Sequence, residues 1–462
     1  MATDFYGRVQ LKMEAFFVPN RLCYGGFQQF ITQPTNNQTS PNGYPSAYVK
    51  YLPSASFPAS KLDRGSLGDY LGYKKGFVST DGAPNVTIKY IMPFVAYHLI
   101  WQSWYRDSLL QNECFRQPNS ANPHTTGAMA LPYITYSGDS PQVISTGLAD
   151  GLDLSDLRQR NFARDYFTNS KLNPQAGTPA TLAFNVANNQ GSFTISSLRA
   201  VNSLQQWMER NNLAGSRYID QIKSHYGVTP SDAIMDRPVY LGSHSFDIYN
   251  KGVYQNGGSQ QQTNNPLGGI GAKFGSSMGV SDSSLVDSFQ ATEFGFIMVL
   301  ASIVPEATYG SGQRRYLDYQ VVSDFANPIL SAVGDQSIKV KELSVGALDG
   351  EADFGYTQRY SEYKFMLGEV HGEIQDGGTL ESFALQRTFD GSPELSSSFI
   401  EIPTNYMDQV TSVTAEMSRV GAWSHTYFNY KKSSVLPAYS IPTLGDPKDT
   451  HTEVINNGGT RL

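Results

Sequence analysis

Cysteine is nearly absent from this chain: 462 residues hold only Cys23 and Cys114. Two isolated thiols build neither a disulfide framework nor a thiolate metal site, and they fit a reducing compartment. Charge is scarce as well. Asp, Glu, Lys and Arg make up 16% of the residues, against about 25% in an average soluble domain. The formal balance is −7, whereas neutralising nucleic acid by bulk charge takes a basic surface. Any nucleic-acid contact is therefore expected to be local, or to pass through a separate basic protein. No apolar run is long enough to span a membrane, and the N-terminus lacks the basic-then-apolar pattern of a secretory signal. The sequons at Asn37 and Asn85 have no use without secretion.

Recognisable catalytic chemistry is also missing. There is no phosphate-binding loop and no dinucleotide fingerprint. Gly275-Ser276-Ser277-Met278-Gly279 matches a nucleophile-elbow pattern, but that pattern needs a strand before it and a helix after it, and here its flanks are Gly/Ser loop. His371-Gly372-Glu373 has the H-x-E spacing of zinc deaminases without the cysteine pair that must follow. Asp150, Asp153 and Asp156 are oxygen ligands at a spacing that can hold Ca²⁺. The plainer reading of those three is turn formation and capping. Arg314-Arg315 and Lys431-Lys432 are basic pairs; a solvated face is the default for each, and nucleic-acid contact the alternative. The expected chain is not an enzyme and needs no cofactor.

The deficit is filled by turn formers and aromatics: 42 Gly, 24 Pro, 28 Tyr and 25 Phe. That mixture favours many short strands joined by loops. Few charges and many tyrosines also suit large buried protein–protein contacts. Residues 7–18 alternate. Val9, Leu11, Met13, Ala15 and Phe17 fall on one face, and Arg8, Gln10, Lys12 and Glu14 on the other, which predicts a half-buried strand. After Pro93, Tyr97, Trp101, Trp104 and Ser108 lie at helical spacing. Ser196 or Ser197 caps a predicted helix with Leu198, Val201, Leu204 and Met208 on one stripe, broken at Gly215. A second short helix carries Tyr218, Ile219, Ile222 and Tyr226 and is closed by Gly227. The apolar run 294–304 predicts a strand buried on both faces. Further strands are expected at 338–346, 355–367, 379–387 and 423–430.

No 20–50-residue period repeats, which argues against a solenoid. One domain over 1–462 is expected, with long insertions at 32–69, 117–192 and 251–282, a helical insertion at 197–226 and a flexible tail at 446–462.

Ordered motifs along the chain resemble one family. Phe16-Phe17-Val18-Pro19-Asn20-Arg21-Leu22 comes first, then Arg164-Asp165-Tyr166-Phe167-Thr168 followed by Asn173-Pro174-Gln175-Ala176-Gly177. The most specific block runs from Leu198-Arg199 through Gly215-Ser216-Arg217-Tyr218 and Ser224-His225-Tyr226-Gly227-Val228 to Arg237-Pro238-Val239-Tyr240-Leu241-Gly242. Glu293-Phe294-Gly295, Gln358-Arg359-Tyr360-Ser361-Glu362-Tyr363-Lys364, a degenerate Phe383-Ala384-Leu385 before Phe399-Ile400, and Leu436-Pro437-Ala438-Tyr439-Ser440-Ile441-Pro442 follow. Together they resemble the major capsid proteins of the Microviridae, especially the gokushovirus-like groups.

The resemblance implies a mainly β fold: a viral jelly-roll sandwich of two facing antiparallel sheets, with long inserted loops and a few short helices. It implies a coat protein that self-assembles into a small icosahedral (T=1) shell around the single-stranded DNA of a bacteriophage. The implied partners are further copies of the chain, the packaged DNA, a small basic DNA-binding protein and a pilot or minor virion protein, and the resemblance leaves room for a host surface receptor. The implied location is the virion, assembled in the host bacterial cytoplasm. The helical insertion would pack over one sandwich face and organise contacts between subunits, or merely shield the core. Family chains carry a further N-terminal stretch, whereas here the first strand begins near Met1. Only 179–192 stands where gokushoviruses have a threefold protrusion, so 117–150 and 251–282 are the expected outward decorations. Two other classes compete with a coat role. A carbohydrate-binding or host-attachment β protein would show a concave aromatic site and no shell. A β-sandwich glycosidase would need two carboxylates at a set separation.

Overall fold

The computed structural model describes residues 7–32, 52–73, 85–115, 146–174, 195–214, 218–229, 231, 236–248, 284–389, 391–409, 425–434 and 454–457. The motif at 275–279 and most of the expected loops at 32–51, 117–145 and 251–282 lie outside them. The chain divides into two units, Met1–Ser412 and Val413–Leu462.

The first unit is built around strand β1 (Val9–Pro19), the predicted alternating segment. It lies between two antiparallel neighbours, β4 (Val239–Ile248) and β5 (Gly295–Pro305), giving the order β4-β1-β5. Along β5 the register is unbroken, from Val9 opposite Pro305 to Pro19 opposite Gly295. Against β4 it shifts between Ala15 and Phe16. Such a bulge adds twist and re-aims side chains; here Phe16 meets the rings of Trp104, Tyr105 and Tyr240 at 5.5–5.9 Å.

Both faces of β1 become buried toward its end. Met13, Ala15 and Phe17 are buried on one face, as the alternation predicts, and Phe16 and Val18 on the other. The face expected to be polar is partly covered: Arg8 is exposed, while Gln10, Lys12 and Glu14 are half-buried. On it, Glu14 accepts from the Tyr105 hydroxyl at 2.7 Å and pairs with Arg160, which also donates to the Ser302 hydroxyl.

Strand β5 corrects an expectation. Its apolar run is not buried on both faces. Phe296, Met298 and Leu300 turn toward the core, while Ile297 and Val299 are exposed. Composition predicts the strand, but among the described residues β5 lies at the edge of its sheet, and nothing in its own sequence says whether its outer face is covered.

The main core forms where β1 meets a hairpin of β2 (Ala55–Pro58) and β3 (Asn85–Ile88) and helix α4 (Met92–Ile100). Before α4 come α1 (Asn20–Cys23), α2 (Phe27–Thr32) and α3 (Leu67–Tyr70). Seven of the nine α4 residues are buried, because its sequence is apolar all round and such a helix belongs in a core. It continues as one π-helical turn, Trp101–Tyr105. Residues 52–69, inside an expected insertion, send Phe57, Leu62 and Leu67 into this core. Residues 146–174, inside another, are irregular backbone with Leu148, Leu154, Phe162, Tyr166 and Phe167 buried.

A second core collects Phe167, Tyr309, Ile338, Leu343, Phe354 and Phe399. Small sheets frame it: β6 (Thr308–Tyr309) parallel to β9 (Gly368–Glu369), and β7 (Gln336–Lys339) antiparallel to β8 (Asp353–Thr357). The strands expected at 338–346 and 355–367 are thus present in shortened, shifted form. The segment 379–387 is irregular with one 3-10 turn, Glu381–Phe383. Close approach shapes this core. A Cβ on Gly312 would stand 2.0 Å from the Glu342 carbonyl oxygen, so only glycine fits.

The two predicted helices are α5 (Ile195–Ala214) and α6 (Tyr218–Tyr226). Helix α5 begins at Ile195, so Ser196 and Ser197 sit in its first turn rather than at its cap. Gly227 closes α6 at φ +70°, the left-handed conformation that favours glycine. A short helix, α7 (Ser397–Ile400), follows, capped by the Ser396 hydroxyl.

In the second unit, β10 (Lys431–Ser434) pairs antiparallel with β11 (Val454–Asn457). The expected strand at 423–430 is not formed by 425–430 and starts at Lys431 instead. The expected tail contributes a strand.

The architecture is mainly β, with helices of four to nine residues apart from α5, which has 20. Among the described residues the sheets are small and open, with three strands in the largest. No described helix is long and apolar enough to cross a membrane.

Candidate assembly surface

The ionisable residues singled out from sequence are mostly engaged with one another. Asp150 pairs with Arg158, both side chains being buried. Asp156 pairs with Lys61 and accepts from the Asp153 amide at 2.9 Å. Asp153 accepts from the amide and hydroxyl of Ser155 at 3.0 and 2.7 Å. The three aspartates therefore shape a turn and hold two cations of the chain itself. Among the described residues no cluster of three or more Asp, Glu, His or Cys side chains has a metal-holding arrangement. His371 is exposed and contacts Glu369 at 3.1 Å.

The two basic pairs differ. Arg314 makes a two-pronged pair with Glu369 at the surface. Arg315 turns inward, donating to the Ser337 carbonyl at 2.6 Å and to Glu342 at 3.1 Å. Neither is the simple solvated charge that the sequence suggests by default. Lys431 and Lys432 are exposed on β10, directly after the exposed rings of Tyr427, Phe428 and Tyr430.

Several buried polar groups find partners within the chain, although Asn20 Oδ1, Arg158 Nη2 and the Tyr406 hydroxyl find none among the described residues. His98, within α4, donates from Nε2 to the Leu154 carbonyl at 2.8 Å and accepts at Nδ1 from Arg158 Nε at 2.9 Å. Those two partners fix the neutral tautomer. Burial, joined by the charge of Arg158, holds its pKa down at about 3. The same guanidinium lies 4.4 Å from the Trp101 ring centre. Cys114 donates its thiol to Gln102 Oε1 at 2.8 Å, and burial pushes that thiol up to about 12. Both cysteines are free and buried, so neither is a reactive nucleophile.

Arg387 is buried as a whole residue. Its guanidinium sits 4.1 Å from the centre of Phe399 and 4.6 Å from that of Phe162. It donates to the Phe399 carbonyl and to the Tyr309 hydroxyl, which donates on to Asp165 Oδ2 at 2.6 Å. These contacts tie distant segments of the chain together and stabilise a scaffold.

What the described surface offers is apolar contact. Three areas stand out: the outer face of β5 with Ile297 and Val299; helices α5 and α6, where Trp207 and Tyr226 are 53% and 80% exposed; and a ridge at 316–333. On the ridge, Leu317, Val321, Val322, Phe325, Ile329 and Val333 all face solvent. Sequence reading missed it. Its signal is the run of aliphatics interrupted every few residues by Asp318, Asp324, Asn327 and Pro328, a turn pattern rather than a strand or helix period. Large exposed apolar areas on a soluble chain mark interaction sites.

The family model described as capsid protein (F protein) matches residues 3–184 and 125–444. The capsid protein VP1 of Chlamydia phage 1 is 25% identical over 537 aligned residues, covering 94% of this chain and 87% of that protein. The capsid protein VP1 of Bdellovibrio phage phiMH2K is 27% identical, covering 94% and 85%, and that of Spiroplasma virus 4 is 22% identical, covering 93% and 84%. With the family model spanning nearly its whole length, this chain belongs to the phage capsid protein (F protein) family of the Microviridae, a family of virion structural proteins and not of enzymes.

Proposed function

We propose that this protein is the major coat subunit of a small bacteriophage and assembles with copies of itself into a T=1 icosahedral shell around single-stranded DNA. The observation that carries the reading is the family match running from residue 3 to residue 444. The exposed apolar surfaces support it. Each contact in a closed shell can be weak, because every subunit engages several at once and avidity multiplies them. The sheet β4-β1-β5 is read as part of a jelly-roll core within a single capsid domain, with the segments at 117–150 and 251–282 as its outward decorations. Helices α5 and α6 would meet a neighbouring subunit: a helix with Leu204, Trp207 and Arg210 all exposed has little to hold it in an isolated chain.

Packaged DNA would touch Lys431 and Lys432, where two cations follow three exposed rings. Stacking plus local charge is the general mode for single strands. Arg314 and Arg315 are poorer candidates, since each is already paired with a carboxylate. At net charge −7, a small basic protein would neutralise most of the phosphate, with a pilot or minor protein completing a particle assembled in the bacterial cytoplasm.

The test is sedimentation and negative-stain microscopy of the purified chain, with nuclease-protected DNA assayed in the same fractions. Uniform small particles protecting single-stranded DNA are expected. A chain that stays monomeric or trimeric under every assembly condition would overturn the reading.

A further inference from the structure

The ridge at 316–333 is unusual in being irregular, apolar, exposed and yet rigidly held. It consists of three 3-10 turns, Arg315–Asp318, Val322–Asp324 and Leu330–Val333. Asp324 Oδ2 accepts from the amides of Gln320 and Val321, both at 2.9 Å, and Asn327 Oδ1 accepts from the Ile329 amide at 2.9 Å. Two donors from another segment converge on a single carbonyl at its crest: Arg359 Nη2 and the Tyr360 hydroxyl both reach Ser323 O at 3.0 Å.

Tyr360 makes that contact from a strained backbone. Its φ is +63°, a conformation that costs a bulky residue of order 1–3 kcal/mol and persists only where the surroundings impose it. The Gln336 side chain imposes it here, accepting from the Tyr360 amide at 3.0 Å. Below the crest, the Tyr319 ring packs on Phe325 at 5.3 Å and its hydroxyl donates to Glu362 at 2.8 Å.

The charges of the ridge are silenced within the chain. Arg314 is paired with Glu369 and Arg315 with Glu342. Asp318 accepts from Gln313 at 2.8 Å and lies 3.1 Å from Lys341 Nζ. Val322 and Ile329, each 83% exposed, stand beside Arg359, a cation without a carboxylate partner among the described residues, whose Nη2 is already engaged by the Ser323 carbonyl. Little charge is left to offer phosphate, which disfavours DNA as the occupant. A preformed, charge-depleted apolar surface is what the core of a protein–protein contact looks like, and preorganisation lowers the ordering cost of binding.

We infer that the ridge at 316–333, with Val322 and Ile329 at its crest, is a contact between copies of this chain in the assembled coat. The inference rests on the coat-protein reading above, because membership of a capsid family makes a second copy the partner that every subunit must meet. The contact buries the two aliphatic side chains against the neighbour. The bonds onto Ser323 hold the crest in its bound shape before the neighbour arrives.

The experiment compares the unchanged full-length chain with V322D/I329D, and with the conservative pair V322I/I329V. Particle yield is read by velocity sedimentation and subunit folding by thermal unfolding. Both positions are exposed, so the aspartate variant is expected to fold with an unchanged unfolding midpoint. Its particle yield should fall by about tenfold or more, as at an interface hot spot, while the conservative pair assembles normally. Amide exchange over 320–333 gives a second readout without any variant: these amides should slow on passing from subunits to particles. Particles from V322D/I329D at unchanged yield, or exchange that does not slow, would overturn the ridge contact alone. Failure of the unchanged chain to form any particle would overturn the coat reading and the contact with it.

Discussion

The surroundings of Arg387 and the ridge at 316–333 invert the usual distribution of side chains. Around Arg387 the charge is inside, ringed by Phe162, Phe389, Phe399 and Tyr309. On the ridge the aliphatics are outside, and Arg314, Arg315 and Asp318 are each paired within the chain. A lone monomer has no reason for this pattern, since exposed aliphatics gain nothing from water. A subunit of a larger body does. Its interior must be rigid enough to present surfaces accurately, and those surfaces must be apolar enough to be covered.

The comparison breaks hardest at Arg387. Replacement by Ala removes the cation from its ring of aromatics, leaves a cavity, and strips the Phe399 carbonyl and the Tyr309 hydroxyl of a partner. The expected loss is ~3–5 kcal/mol of subunit stability, read as a lower urea midpoint. Replacement of exposed Arg314 should cost far less, because surface ion pairs are worth ~1 kcal/mol or below. Equal losses at the two sites would show that the enclosure of Arg387 contributes nothing.

A smaller effect comes from His98. In the unfolded chain its pKa is 6.5; in the fold, burial and then Arg158 depress it to about 3. Between those values the unfolded chain takes up a proton that the folded chain refuses. Its stabilising contribution is therefore complete above pH 6.5 and drains away as pH falls toward 3, by up to ~1.4 kcal/mol per pH unit. The groups around it argue for a steep response: Arg158 repels a proton, while Asp150 and Asp156 attract it too weakly to offset burial. Subunit urea midpoints at pH 7 and 5, with and without His98→Gln, isolate this term. A variant with the same pH slope as the unchanged chain would refute it.

The sequence already carried the periodic parts of this structure. The alternation at 7–18 gives β1. The 3.6-residue spacing gives α5 and α6, and Gly227 ends the second where a left-handed residue is required. Whatever depends on long-range contact was not legible. The Glu14–Arg160 pair joins residues far apart in sequence, so the polar face of β1 reads as solvent-facing when it is partly buried. Residues 52–69 and 146–174 read as insertions because their sequence lacks a strand or helix period, yet Phe57 and Phe167 are core residues. The run at 294–304 says strand but not edge. For the candidate sites, composition excludes most catalysts but does not reveal that Arg314 and Arg315 are paired, or that the aliphatics of 316–333 are held outward.

The smallest predicted effect sharpens the comparison most. Ile338 and Ile329 lie on one stretch of chain and carry the same side chain. Ile338 is fully buried in the second core and Ile329 is 83% exposed. Ile338→Ala should cost ~2–5 kcal/mol, the usual penalty for emptying a core site. Ile329→Ala should change subunit stability by no more than ~0.5 kcal/mol, as surface substitutions do. If the ridge were held by its own apolar packing, Ile329→Ala would lower the unfolding midpoint toward that of Ile338→Ala. A null effect on the subunit would assign the ridge's shape to the bonds onto Ser323 and the amides around Asp324, leaving its aliphatics free to act on a neighbour.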